Sequence, residues 1–259
     1  MPIKIASFPT LANHDWDGCE WTVLDEDSLA KWIAWVAVGQ SYHVAQILHS
    51  VGAGPLATND DAIREAVELL TQSGASPDHR DGWMFQVMSW LATNCRTPGA
   101  LTAPPHMIHA QKGLDGLEII LDPTGNVVAA VITEDKATIN PRRTVLEKVW
   151  PEIKEFEAGA GVSRMTQAAT GILLAAQHPN ASDAVKKIVW KNARRYRVTI
   201  TTTSNSDASR KSLFKGYATV APGGNERRRG EIFLKKDMRD WMKALAAAAI
   251  IHAQAMTQT

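Results

Sequence analysis

Apolar residues recur at helical spacing through most of the first hundred positions, then give way to the two-residue alternation of strands. An apolar-rich run over residues 28–51 starts after Asp27, a capping residue, and stops at Gly52-Ala53-Gly54-Pro55. Asn59 caps a second helix over 60–72, with Ile63, Val67 and Leu70 on one face. The third start is the sharpest: Ser76 as N-cap, Pro77 at the first helical position and Asp78 in the first turn. That helix runs through Trp83, Phe85, Met88 and Leu91 to about Asn94.

Residues 106–111 read as a short strand. DGLEIILD (115–122) and VVAAVITEDK (127–136) are rich in Ile, Leu and Val and flank Pro123-Thr124-Gly125-Asn126, which predicts a hairpin. Asn140-Pro141 opens a helical run that Trp150-Pro151 breaks or kinks before 152–158. Ser163 caps a helix over 164–177, and a basic helix over 183–194 leads into a strand over 196–203. Residues 215–220 and 231–234 read as two more strands around Pro222-Gly223-Gly224-Asn225, and an alanine-rich helix follows Asp237. The expectation is an α/β protein with a helical N-terminal part, residues 1–75, and a second unit over 76–259. From Pro77 to Thr203 the predicted order is helix, three strands, helices, strand.

The composition is that of an ordinary globular chain: 259 residues, 45% hydrophobic and 21% charged. Cys19 and Cys95 cannot make a disulfide framework or a four-ligand zinc site, so a reducing cytoplasm is expected. No apolar leader opens the sequence, and no stretch is apolar over the length of a membrane span, so no membrane partner is expected. The net charge of +1 hides an asymmetry. Fifteen Lys/Arg stand against five acids between Asp183 and Arg239, a segment at +10 beside a remainder at −9. Such a basic cluster suits a polyanion, with nucleic acid the first candidate, or it is a solvated face that docks an acidic partner.

The hairpin places candidate chemistry. With a four-residue loop closed by Asp122 and Val127, Leu121 opposes Val128, Ile119 opposes Ala130, Leu117 opposes Ile132 and Asp115 opposes Glu134. Alternation then gives one face Asp115, Leu117, Ile119, Leu121, Val128, Ala130, Ile132, Glu134 and Lys136. Glu118 and Asp135 fall on the other face. Opposed carboxylates about 5 Å apart repel unless a cation offsets them, and Mg²⁺ or Mn²⁺, hard and oxygen-seeking, suits that position. The bland alternative is a salt bridge at the sheet rim.

Gly113-Leu114-Asp115, eighteen residues, then Glu134-Asp135-Lys136 at the end of an apolar strand resembles the signature of the PD-(D/E)XK nuclease superfamily. The resemblance implies a restriction-endonuclease-like core and metal-dependent endonuclease activity on DNA, with RNA not excluded. It makes Asp115 and Glu134 metal ligands for Mg²⁺ or Mn²⁺, and Lys136 the residue that positions water and stabilises charge on the scissile phosphate. The family often carries an acid on the first core helix, where this chain has Gln86, and the usual proline before the Asp is Leu114. Gln86, Lys112 and Gln167 are candidates to line the site around these residues. Lys187, Lys191, Arg194, Arg195, Arg227, Arg228 and Arg229 are the candidate nucleic-acid contacts. The D-G-x-E…E-x-K region is also similar to the nuclease subunit of Hachiman-type anti-phage defence systems, which implies a defence effector regulated by a helicase partner. The competing expectation is a non-catalytic nucleic-acid- or protein-binding module of the same fold. No P-loop or G-x-G-x-x-G is present, and His106-x-x-His109 on a strand would face opposite ways.

Overall fold

In the computed structural model the described residues are 2–8, 14–49, 56–71, 76–97, 100–107, 115–188 and 193–256. The predicted hairpin forms as β4 (Gly116–Leu121) and β5 (Val127–Lys136), paired antiparallel with Gly116 opposite Thr133, Leu117 opposite Ile132 and Ile119 opposite Ala130. Asp122 Oδ1 closes the turn by accepting from the Thr124 and Asn126 N–H groups, both at 2.9 Å. A register shift between Ile120 and Leu121 sets Leu121 opposite Val127 rather than Val128. Val127 is therefore buried, while Val128, expected on the apolar face, is 43% exposed.

These strands belong to a seven-stranded mixed sheet, counted over the described residues, in the order β1-β2-β7-β6-β5-β4-β3. The first 75 residues are not purely helical. They supply β1 (Ile3–Ser7) and β2 (Asp17–Val23), and β2 lies parallel to β7 (Arg228–Leu234). β6 (Arg194–Thr202) runs parallel to both β7 and β5. The short strand expected at 106–111 lies earlier, as β3 (Leu101–Thr102), antiparallel to β4. Residues 106 and 107 are not in a strand, and 108–111 lie outside the described residues.

The long N-terminal helical run divides into α1 (Glu26–Ala37) and α2 (Ser41–His49) at Gly39, whose φ of +86° ends a helix. Asn59 caps α3 (Asp60–Leu70) by accepting from the Ala62 N–H at 2.9 Å. α4 (Asp78–Arg96) begins one residue later than predicted, after Pro77. It is buried along most of its length, with polar side chains such as Asp81, Ser89, Thr93 and Asn94 buried beside Trp83, Phe85, Met88 and Leu91. α4 packs with α1, α11 (Met238–Gln254), Cys19, Trp21 and Phe233 in one hydrophobic core.

The second core contains Leu117, Ile119, Ile132, Tyr196, Val198 and Ile232 from the sheet. They pack against Val145 and Val149, which follow α5 (Pro141–Thr144), and against α6 (Trp150–Glu157), α7 (Val162–Ala175) and α8 (Ala181–Ile188), together with α9 (Asp207–Leu213) and α10 (Tyr217–Val220). Residues 217–220, predicted as strand, are thus helical. Trp150-Pro151 does not break the chain's helical path. Residues 145–149 form a π turn in which the Trp150 N–H reaches the Val145 carbonyl. The wider turn accommodates a proline that lacks an N–H and would crowd the carbonyl four residues back. Among the described residues no helix is long and apolar enough to cross a membrane.

Candidate active site

Asp115 sits immediately before β4, and Glu134 and Lys136 share one face at the end of β5. The three meet. Lys136 Nζ lies 2.9 Å from Asp115 Oδ2 and 2.8 Å from Glu134 Oε2. Asp115 is pinned from three directions. Its Oδ1 accepts from Gln86 Nε2 of α4 at 2.8 Å, and its Oδ2 also accepts from the Asp135 backbone N–H at 2.9 Å. Gln86, a candidate to line the site, therefore bonds Asp115 directly.

A residue that sequence reasoning missed completes the group. Glu152, in the first turn of α6, brings Oε2 to 3.6 Å from Lys136 Nζ. Its only local signal is the Trp-Pro pair before it, which marks the irregular turn without saying where the carboxylate points. Three carboxylates thus surround one ammonium at the wall of an open cleft of about 770 Å³. Lys148, Arg143 and Arg239 stand at the cleft wall, but Arg143 is paired with Glu147 at 2.9 Å and Arg239 with Asp81 at 2.5 Å.

The electrostatics reflect a shortage of positive charge. Burial pushes the Glu134 carboxyl, 3% exposed, well above the usual carboxylate range. Lys136 opposes that shift, while Asp115 and Glu152 add to it. Burial works against the Lys136 ammonium, but Glu134, Asp115 and Glu152 outweigh it and hold its pKa well above the ordinary lysine value. Burial also acts to raise Glu152, yet hydrogen bonding with Glu134 and the Lys136 charge bring it below the ordinary value.

On the opposite face, as alternation predicted, Glu118 and Asp135 join a buried layer of charges beneath α4. Arg96 reaches Glu231 at 2.5 Å and Glu118 at 3.7 Å, Arg197 lies 3.7 Å from Glu118, and Trp21 Nε1 donates to Glu231 at 3.1 Å. Burial raises Asp135 to about 7, against the Arg197 guanidinium, which lowers it.

The candidate nucleic-acid contacts fall elsewhere. Arg194 and Arg228, each 3% exposed, do not face solvent. Arg194 donates to the Phe156 carbonyl at 2.7 Å, and Arg228 donates to the carbonyls of Asp15, Ala221 and Gly223. Arg227 pairs with Glu157 at 2.7 Å, and Arg229 lies 3.5 Å from Asp17 and 3.6 Å from Glu231. Arg195 is half-buried on β6. Register sets Arg194 beside Ala130 and Ile200 beside Lys136. At a strand rise of about 3.3 Å per residue, this arginine group lies roughly 20 Å from Lys136, at the other end of the parallel strands. Counting charges overlooked that guanidiniums also satisfy buried backbone carbonyls. Gln167 is exposed on α7 and does not line the cleft. Lys112, Lys191, His109 and the side chain of Lys187 lie outside the described residues.

Asp115, Glu134 and Glu152 offer hard oxygen donors suited to Mg²⁺ or Mn²⁺. The Glu152 side chain is 45% exposed and is engaged by Lys136 and Glu134. Among the described residues no group of three His, Cys, Asp or Glu side chains is arranged to hold a metal ion. No protein-family model matches the chain, and no curated protein matches it.

Proposed function

We propose that this chain is a divalent-cation-dependent nuclease that hydrolyses DNA phosphodiester bonds, built on a restriction-endonuclease-like core. The observation that carries the reading is the meeting of Asp115, Glu134 and Lys136 at the end of β5, on the wall of an open cleft. The order α4, β3, β4, β5, α5 to α8, β6 supports it, as does the parallel pairing of β5 with β6. The reading as an anti-phage effector governed by a helicase partner rests on the similarity of the D-G-x-E…E-x-K region.

When bound, a divalent cation polarises the phosphoryl oxygen and makes water a better nucleophile at neutral pH. Asp115 is pre-oriented for this task by Gln86 and the Asp135 N–H, so little reorganisation is left for the moment of reaction. Asp115 and Glu134 would hold the cation, and Lys136, which now bonds both, would then be free to stabilise charge on the phosphate.

The test is incubation of plasmid and linear DNA with the protein in Mg²⁺, Mn²⁺ or EDTA, alongside Glu134→Ala and Lys136→Ala. Cutting should need the metal and fall by about 10²-fold or more in both variants. Salt-sensitive DNA binding with no cutting in any metal would instead favour a binding module.

A further inference from the structure

Beneath α4, three adjacent strands bring four residues together. Gly116 of β4 lies opposite Thr133 of β5, and Thr133 lies beside Arg197 of β6. Asp135, two residues further along β5, faces the same side of the sheet as Thr133. With Gln86 of α4 and with Asp115, these residues line a cavity of about 10 Å³. That is room for one water molecule and for nothing larger.

The polar atoms around the cavity do not satisfy one another. Thr133 Oγ1, Asp135 Oδ1 and Arg197 Nε have no hydrogen-bond partner in the protein, and the three residues are 1%, 5% and 4% exposed. The rest of the Arg197 guanidinium is already used: Nη1 donates to Thr93 Oγ1 and Nη2 to Ser89 Oγ at 3.3 Å. The Ser89 and Thr199 hydroxyls support the Asp135 carboxyl, yet its Oδ1 has no bond. The unmatched set is thus an N–H that can only donate, a carboxyl oxygen, and a hydroxyl that does either. One water molecule answers all three: it accepts from Arg197, donates to Asp135, and bonds Thr133 in either direction. A cation does not suit this place, because the guanidinium forms part of the wall.

Gly116 keeps the space open. Its φ lies outside the left-handed region, so the backbone does not require a glycine here. A Cβ at Gly116 would stand 3.3 Å from Thr133 Cβ and 3.5 Å from Thr133 Oγ1, against the hydroxyl that a water would use. We propose that one buried water molecule is a fixed ligand of this fold, held by Thr133, Asp135 and Arg197 in the space that Gly116 leaves. Asp115, Gln86 and Asp135 border both this cavity and the open cleft, so the water is a rigid part of the cleft wall. The inference does not depend on the nuclease reading.

The experiment pairs crystal structures of the full chain with a count of its long-lived waters in solution by water-oxygen magnetic relaxation dispersion. The proteins are the wild type, Gly116→Ala, Thr133→Val and Thr133→Ser, each checked for fold by circular dichroism. The wild type should show density at about 2.7–3.2 Å from Thr133 Oγ1, Asp135 Oδ1 and Arg197 Nε. Gly116→Ala should lose that density and one long-lived water. Thr133→Val, which removes only the hydroxyl, should shorten the water's residence about tenfold, while Thr133→Ser retains it. A wild-type cavity without density, or an unchanged water count in folded Gly116→Ala, would overturn the proposal. If Gly116→Ala does not fold, the Thr133 pair decides, and equal residence in the Val and Ser variants overturns it.

Discussion

Asp135 permits a quantitative test of the charge layer that underlies the site. Its side chain is buried between the sheet and α4, one oxygen has no hydrogen-bond partner, and burial raises the carboxyl from 3.8 to about 7. The folded state therefore holds a proton that the unfolded chain has released. A group with a raised folded pKa contributes stability that is complete below the unfolded value and is lost as pH rises through the folded one. The window here is about pH 4 to pH 7. A shift of about three units at 1.36 kcal/mol each amounts to about 4 kcal/mol. Carboxyls lowered by folding, such as Glu231 and Glu157, add stability as pH rises, so the wild-type curve alone mixes both signs. Asp135→Asn isolates the effect because its amide does not titrate and leaves Arg197 near Glu118. Urea unfolding of both proteins in EDTA, at half-unit steps from pH 4 to pH 8, gives the difference directly. The variant should gain on the wild type by about 4 kcal/mol across that range, at unchanged m-value. A difference constant to within about 1 kcal/mol would show that Asp135 carries no buried proton, and the argument would fail.

Two further stability predictions follow from the same layers. Glu231 is 0% exposed and holds Arg96, Arg229 and the Trp21 N–H; Glu231→Ala leaves two arginines short of a buried counter-charge and should cost about 3–5 kcal/mol in urea unfolding. A Cβ at Gly18 would stand 1.8 Å from the Gly230 carbonyl oxygen, so Gly18→Ala must separate β2 from β7 and should cost at least the ~1–3 kcal/mol of ordinary overpacking, read as a lowered thermal midpoint.

The central hairpin was legible because turn residues and alternation agree there, and the pairing of Gly116 with Thr133 and Leu117 with Ile132 follows from closing the loop at Asp122 and Val127. The bulge that buries Val127 was not, since two adjacent valines satisfy either register. β1 and β2 were missed for a different reason. IKIAS and DGCEWTV are short and weakly patterned, and β2 gains its place from β7, some two hundred residues away. That pairing is non-local, so no window of sequence carries it. Alternation put Asp115, Glu134 and Lys136 on one face, and the structure brings them together. Glu152 arrives from the helical layer, and its direction depends on a π turn that no periodicity template contains. A charge count cannot distinguish a guanidinium facing solvent from one binding carbonyls within the fold, as Arg194 and Arg228 do.

The site's geometry depends on both faces of the sheet, which explains why so much charge is buried away from it. Asp115 lies at the strand edge where the two layers meet, and Gln86 reaches it from α4. An apolar helix packed on apolar neighbours can slide by a fraction of a turn at little cost, because dispersion is not directional. α4 is instead held near both ends by directional contacts. Arg239 bonds Asp78 and Asp81 at its start, and Arg96 bonds Glu231 and Glu118 at its end. These pairs fix the helix along its axis, and with it the height at which Gln86 meets Asp115. Buried ion pairs contribute little net stability compared with apolar packing. Their contribution here is position: the charge layer sets α4, α4 sets Gln86, and Gln86 with the Asp135 N–H holds Asp115 facing Lys136.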